Sequence, residues 1–165
     1  MTGALNFSLA YNRITIIPTG LGASSELTAD GISYPARQAF DGDANTCWQE
    51  AAAGKGAGEC LYVEFGAPVD ISLFSIRPGY ACSSGSFTRN CRPKTLRVTL
   101  RGEGFSVDYR LSLTDENRMF YFALPYTEII TCYAPTITVE EVYPGTDYED
   151  LAISDFGFYS MQLDF

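Results

Sequence analysis

The sequence predicts an all-β fold, an antiparallel β-sandwich of the jelly-roll kind, and three observations predict it. Apolar and polar residues alternate with a period of two through most of the chain. The alternating runs are short and separated by Gly, Pro, Asn and Asp, which marks half-buried antiparallel strands joined by turns. Only Pro35 to Phe40 offers a helical turn of note, with Pro35 near its start. At 165 residues and 46% hydrophobic, the chain suits one domain over 1–165, and a domain of this size buries roughly 68–70% of its unfolded surface.

The expected strands can be taken in order. Leu61, Val63 and Phe65 alternate with Tyr62 and Glu64, and Leu96, Val98 and Leu100 alternate with Arg97 and Thr99. Phe105, Val107, Tyr109 and Leu111 form the next set, followed by Phe120, Phe122 and Leu124. Ile137 and Val139, then Ile153, Phe156 and Phe158, complete the series. The small, flexible A-A-A-G-K-G-A-G at 51–58 reads as an exposed loop. It lacks the G-x-x-x-x-G-K-[ST] spacing of a phosphate cradle.

Composition excludes several functions. The net charge is −9, with 20 acidic and 11 basic residues. Nucleic acid and anionic membrane bind through clustered Lys and Arg, so neither is an expected partner. No apolar stretch of about 18 residues is present, so no inserted membrane helix is expected. With no histidine, the Ser-His-Asp triad, the Cys-His dyad and most zinc sites are ruled out. The opening M-T-G-A-L-N-F-S-L-A-Y-N-R lacks a basic leader with an apolar block. The expectation is a domain of a longer exported protein, extracellular or at the cell surface.

Five cysteines stand at 47, 60, 82, 91 and 132. Cys82 and Cys91 bracket a short polar loop, and Cys47 and Cys60 bracket the glycine-rich one, so two bridges with Cys132 left over would suit an oxidising compartment. The competing reading is that all five are reduced and packed, as free cysteines commonly are.

The run Q-A-F-D-G-D-A-N-T-C-W at 38–48 sets Asp41, Asp43, Asn45 and Thr46 around a glycine. Hard oxygens in that pattern suit calcium, which takes about 6 to 8 oxygen ligands, backbone carbonyls included. They equally suit a plain Asp-Gly turn. An EF-hand is excluded, because Thr46 stands where its glycine belongs and Ala52 where its glutamate belongs. Trp48, which closes the run, is expected in the core.

With strands and turn placed, the chain resembles the galactose-binding-like superfamily of discoidin or coagulation-factor type C domains. It is most similar to the bacterial NADase-type glycan-binding branch. The resemblance is carried, over about 23–160, by A-S-S-E-L at 23–27, Y-P-A-R-Q-A-F-D-G-D-A-N-T-C-W at 34–48 and G-K-G-A-G-E-C-L-Y-V-E-F at 54–65. G-Y-A-C at 79–82, N-C-R-P-K-T-L-R-V at 90–98 and the segment 137–158 ending I-S-D-F-G-F continue it in order. The resemblance implies a galactose-binding domain-like sandwich with a structural calcium. Its ligands would be the Gln38 carbonyl, the Asp41 carboxylate, the Asp43 carbonyl, Thr46 through carbonyl and hydroxyl, the Ser154 carbonyl and the Asp155 carboxylate. The superfamily usually has glutamate where Asp155 stands.

The resemblance also implies binding through loops at one end, here Glu26 to Tyr34, Gln49 to Gly58 and Arg77 to Arg92. Tyr34, Arg77, Tyr80, Arg89 and Asn90 are the candidate ligand-binding residues, since rings beside Arg and Asn donors suit a sugar. Each has a plainer reading; Tyr80 in particular could pack on a disulfide. Arg92 is expected to be structural, paired with Glu59 or Asp150. The expected partner is a glycan or glycoconjugate, or else another protein. No catalysis is expected. Glu140 and Glu141 are neighbours on a strand and point to opposite faces, and T-D-Y-E-D at 146–150 reads as a solvated acidic turn, so no glycosidase pair is formed.

Overall fold

The computed structural model describes residues 11–125 and 130–163; the opening segment 1–10 considered above lies outside them. The chain begins with β1 (Tyr11–Ile16) and β2 (Gly20–Ala23), then a small hairpin of β3 (Leu27–Ala29) and β4 (Ile32–Tyr34). A 3-10 turn at Ala36–Ala39 leads to the short β5 (Trp48–Gln49), then β6 (Cys60–Glu64), β7 (Val69–Ile71) and β8 (Leu73–Pro78). One helical element, α1 (Ser84–Arg89), precedes β9 (Arg92–Gly102) and β10 (Phe105–Ser112). The remainder is β11 (Phe120–Ala123), β12 (Ile130–Cys132), β13 (Thr136–Tyr143) and β14 (Ala152–Leu163).

Two five-stranded antiparallel sheets form the sandwich. One runs β1-β14-β8-β11, with β5 also paired to β14, and the other runs β10-β9-β13-β6-β2. The expected alternation is borne out. Leu61, Val63 and Phe65 are buried while Tyr62 and Glu64 are exposed, and Leu96, Val98 and Leu100 point inward from β9. On β10 the pattern fades outward: Leu111 is buried, but Phe105 at the hairpin is 43% exposed, its ring lying where a Cβ on Gly102 would stand. The faces meet in an aromatic cluster in which Phe74 contacts Phe158 at 5.8 Å and Tyr109 at 6.1 Å, while Phe65 meets Phe158 at 5.5 Å. Edge-to-face pairs of this kind add about 0.5–1.5 kcal/mol beyond their burial. Trp48 is a fully buried core anchor, as expected, and its indole N–H donates to the Ser25 carbonyl at 2.9 Å.

The end of the sandwich that carries the site is shaped by three local devices. The β3–β4 hairpin turns at Asp30-Gly31, both with positive φ (51° and 77°), the conformation of a type I′ turn that Asp-Gly adopts readily. The helix α1 begins with a capping box, in which Ser83 Oγ accepts from Ser86 N at 3.0 Å and Ser86 Oγ from Ser83 N at 3.0 Å. It ends under Arg92, whose Nη1 donates to the carbonyls of Phe87, Thr88 and Asn90 at 3.1, 3.2 and 2.9 Å. Arg92 is structural as expected, but its carboxylate partner is Asp115, held at 2.7 and 2.8 Å. The β9–β10 hairpin brings Asp115 alongside, whereas Glu59 is engaged by Ser24 and Ser25.

Neither expected disulfide is present, because all five cysteines are free thiols. The helix α1 stands between Cys82 and Cys91. Cys82 Sγ contacts Ser86 Oγ at 3.1 Å, whereas Cys91 Sγ turns inward to accept from Gly145 N at 3.3 Å and donate to the Tyr148 carbonyl at 3.5 Å. Cys47 is buried beside the Gln49 side-chain amide at 3.5 Å, and burial pushes its thiol up to about 12. Glu140 and Glu141 do not diverge as expected: a β-bulge in β13 after Val139 turns both to the outer face, where Glu140 pairs with Arg97 and Arg110, and Glu141 with Lys94 and the Thr95 hydroxyl.

Candidate functional site

A cleft of about 260 Å³ opens at the end of the sandwich bounded by the β3–β4 hairpin, α1 and the loop before β14. Leu27 pairs with Tyr34 and Ala29 with Ile32, so these four side chains share one hairpin face by strand alternation. That face lines the cleft. The opposite face carries Thr28 and Ser33, whose hydroxyls meet at 3.1 Å.

The second wall is Tyr80 together with Ser86, Arg89 and Asn90 of α1 and its C-cap. Tyr34 and Tyr80 meet edge to face, with centroids 6.1 Å apart at 76°. Burial raises both phenols above their ordinary value, and the nearby Cys47 adds to it; Tyr80 reaches about 12. Both hydroxyls are therefore neutral donors at neutral pH. Asn90 is buried, its amide N–H donating to the Ser86 carbonyl at 2.9 Å. Arg89 folds back along its own helix, Nε donating to Gly85 O at 3.3 Å.

The third wall is Tyr148 and Asp150, and Gln49 on β5 is buried beneath. The loop that carries Tyr148 is fastened to α1 by backbone bonds: Thr146 N to Thr88 O at 3.1 Å, and Asp147 N and Tyr148 N to Arg89 O at 3.2 and 2.9 Å. Four of the five sequence-predicted ligand residues, Tyr34, Tyr80, Arg89 and Asn90, are thus gathered in one cleft. Arg77 is not among them. It sits on β8 directly opposite Asp155 on β14, and its Nε is buried without a hydrogen-bond partner among the described residues.

Leu27, Asp30, Ile32 and Gln49 lie in loops the sequence singled out but were not named as ligand residues, and Tyr148 and Asp150 lie outside those loops. The D-G at 30–31 was a readable hairpin signal that would have placed the first three. The acidic turn at 146–150 is only partly solvated, since Asp150 is half-buried. Of the expected binding loop Gln49 to Gly58 only its first residue, Gln49, lines the cleft. Ala51 to Lys55 are exposed, and Gly56 is buried over Leu151, where a Cβ would come within 2.5 Å.

The acidic run after the 3-10 turn folds on itself. Asp41 Oδ1 accepts from Asp43 N at 3.0 Å, and Asp41 Oδ2 from Thr46 Oγ1 at 2.5 Å. The Asp43 carboxylate turns away to Asn45 N and Nδ2 at 2.9 and 3.0 Å, while the Asp43 carbonyl faces Thr46 Oγ1 at 3.1 Å. Asp155 arrives from β14, accepting from the backbone N–H of Gly42 and of Phe156. Burial raises its carboxyl above the ordinary range, and the Asp41 charge adds to this, opposed by Arg77. Gln38 is half-buried in the 3-10 turn, its N–H donating to Pro35 O at 3.0 Å. Ser154 is buried, its hydroxyl donating to Gly79 O at 2.7 Å and accepting from Ala81 N at 2.9 Å, so that its carbonyl rather than its hydroxyl is the group that could ligate a metal.

Among the described residues no group of three or more His, Cys, Asp or Glu gathers, and no ion pair neutralises Asp41 or Asp155. The arrangement is two carboxylates with a hydroxyl and carbonyls, all hard oxygen donors. That chemistry fits calcium, which accepts carbonyls and carboxylates together.

With this geometry in view, comparisons with known proteins are informative. The model of the NAD glycohydrolase translocation F5/8 type C domain family matches residues 11–159. No curated protein matches the sequence. The fold is similar to that of the family 32 carbohydrate-binding module of NanJ from C. perfringens, solved with galactose, at TM-score 0.68 and 22% identity over 90% of this chain and 100% of that one. It is also similar to CpGH89CBM32-5 from Clostridium perfringens, solved with GalNAc-β-1,3-galactose (TM-score 0.65, 15% identity, 86% of this chain and 94% of that one). The F5/8 type C domain of a Bacteroides fragilis protein gives TM-score 0.63 at 21% identity over 87% of this chain and 92% of that one.

Proposed function

Because the chain belongs to the NAD glycohydrolase translocation F5/8 type C domain family, we propose that it is a non-catalytic glycan-binding module of an exported or cell-surface bacterial protein. The observation that carries this is the cleft itself, in which the rings of Tyr34, Tyr80 and Tyr148 stand beside Arg89, Asn90 and Gln49. Apolar ring faces with a few convergent polar groups suit a sugar, whose hydroxyls ring an apolar face. The volume of about 260 Å³ falls just under the range of roughly 300–1,000 Å³ usual for small-molecule pockets. It suits a terminal sugar unit at the tip of a glycan. Bacterial modules of like fold solved with galactose and GalNAc-β-1,3-galactose support the same reading.

The structural cation in this proposal is calcium, held by Asp41, Asp155, Thr46 and the carbonyls of Gln38, Asp43 and Ser154. Its role is to tie the loop after the 3-10 turn to β14. Among the described residues no helix is long and apolar enough to cross a membrane. The family description, which names translocation, favours a second reading, a protein-targeting module whose partner meets the rim at Ile32 and Tyr148, 56% and 51% exposed.

A glycan array probed with the folded protein, with and without chelator, tests the first reading. Binding that Tyr80→Ala abolishes without lowering the melting temperature is the expected result. No ligand for a folded, calcium-loaded sample would rule out the glycan reading and leave the protein partner.

A further inference from the structure

The charges that line the cleft do not balance. Asp30 stands at the tip of the β3–β4 hairpin and Asp150 on the wall opened by the loop before β14. Among the described residues no ion pair engages either. Asp150 is half-buried, and burial, with the neighbouring Glu149, raises its carboxyl above the ordinary value; no cation opposes this. The one cationic group in the lining, Arg89, is curled onto Gly85 of its own helix.

A ligand that covers Asp150 must strip more water from an uncompensated carboxylate. That step is costly unless the ligand brings a positive charge or several donors. The tyrosine rings around the same space attract a cation through their faces. The net charge of −9 also steers cations toward the chain and repels anions.

We propose that the glycan this cleft selects carries a protonated amine, an amino sugar whose ammonium group faces the carboxylates of Asp150 and Asp30. The inference rests on the glycan-binding reading above and adds the charge class of the sugar. Uronic acids and sulfated sugars are disfavoured, and an N-acetylated sugar loses the attraction because its amide is neutral.

Calorimetric titration of the full chain separates the two levels. The probes are a fully deacetylated glucosamine oligomer, its N-acetylated counterpart and a galacturonate oligomer, at a pH where the amine is protonated. The expected result is binding of the deacetylated oligomer at least about tenfold tighter than of the acetylated one, a difference of about 1.4 kcal/mol. Asp150→Asn should erase most of that ratio, and so should Asp30→Asn, which keeps a residue at home in the left-handed turn. Equal or tighter binding of the acetylated or the galacturonate oligomer, still lost in Tyr80→Ala, overturns the charge assignment and leaves the glycan reading standing. Deacetylated-oligomer binding that ignores Tyr80→Ala and vanishes with added salt is surface adsorption and overturns it as well. If no saccharide binds a correctly folded sample, both fall.

Discussion

Asp41 reaches Thr46 with one carboxylate oxygen and Asp43 N with the other, while its charge lies close enough to Asp155 to raise that group. Two repelling carboxylates on separate segments destabilise the closed loop unless a cation joins them. Calcium at about one hundred times its dissociation constant should add about 2.7 kcal/mol of stability, or roughly 5–10 °C in melting temperature for a chain of this size. Asp41→Ala should remove that calcium response in a calorimetric melt; a variant that still responds would refute the site. Arg92 makes the opposite kind of contact, a cation satisfied by Asp115 and three carbonyls. Arg92→Lys cannot reproduce the fork, and denaturant unfolding should show a loss of about 3 kcal/mol, the low end for stranding a partner of a buried charge, since Asp115 keeps 40% exposure. Chemistry at this scale was legible where residue type decides it: Trp48 in the core, Tyr34 and Tyr80 as exposed-end rings, Arg92 as structure. The partner of Arg92 and the exclusion of Arg77 were not, because both depend on which strands lie side by side.

Helix α1 and the loop from Gly145 to Asp150 act as one unit, since the backbone bonds to Thr88 and Arg89 carry Tyr148 and Asp150 into position. Gly145 makes this docking feasible: a Cβ there would stand 2.3 Å from Arg89 O and 2.6 Å from Tyr148 O. Backbone atoms cannot yield as a flexible side chain would. Gly145→Ala should therefore lift the loop from the helix. The expected outcome is a stability loss of about 1–3 kcal/mol, typical of overpacking, with saccharide affinity falling at least about tenfold. Titration of the folded variant checks it, and unchanged affinity would show that the loop does not shape the cleft. The helix itself was hidden in S-S-G-S-F-T-R, a composition that favours turns; its capping box uses Ser86 where Glu or Gln is the usual signal.

On the scale of the whole molecule, the two-sheet architecture was legible because strand alternation and turn chemistry agree along most of the chain. The strands that escaped notice are β1 to β5, β7, β8 and β12. Several are two or three residues long, and Ser75 on β8 is buried beneath Tyr159, with hydroxyls 3.0 Å apart, so its face does not read as polar and solvated. The five free thiols sort by depth. Cys82 is exposed, Cys60 intermediate, and Cys47, Cys91 and Cys132 fully buried. A thiol-reactive dye should therefore label Cys82 at once and Cys60 more slowly, and reach the other three only as their own surroundings open. Mass spectrometry of quenched samples would read these rates separately; rapid labelling of all five would contradict the described packing. The unpaired cysteines thus make the molecule its own stopwatch. Cys47 times the opening beside the acidic loop, Cys91 the lifting of the cleft wall, and Cys132 the parting of the strand at the far end of the sandwich.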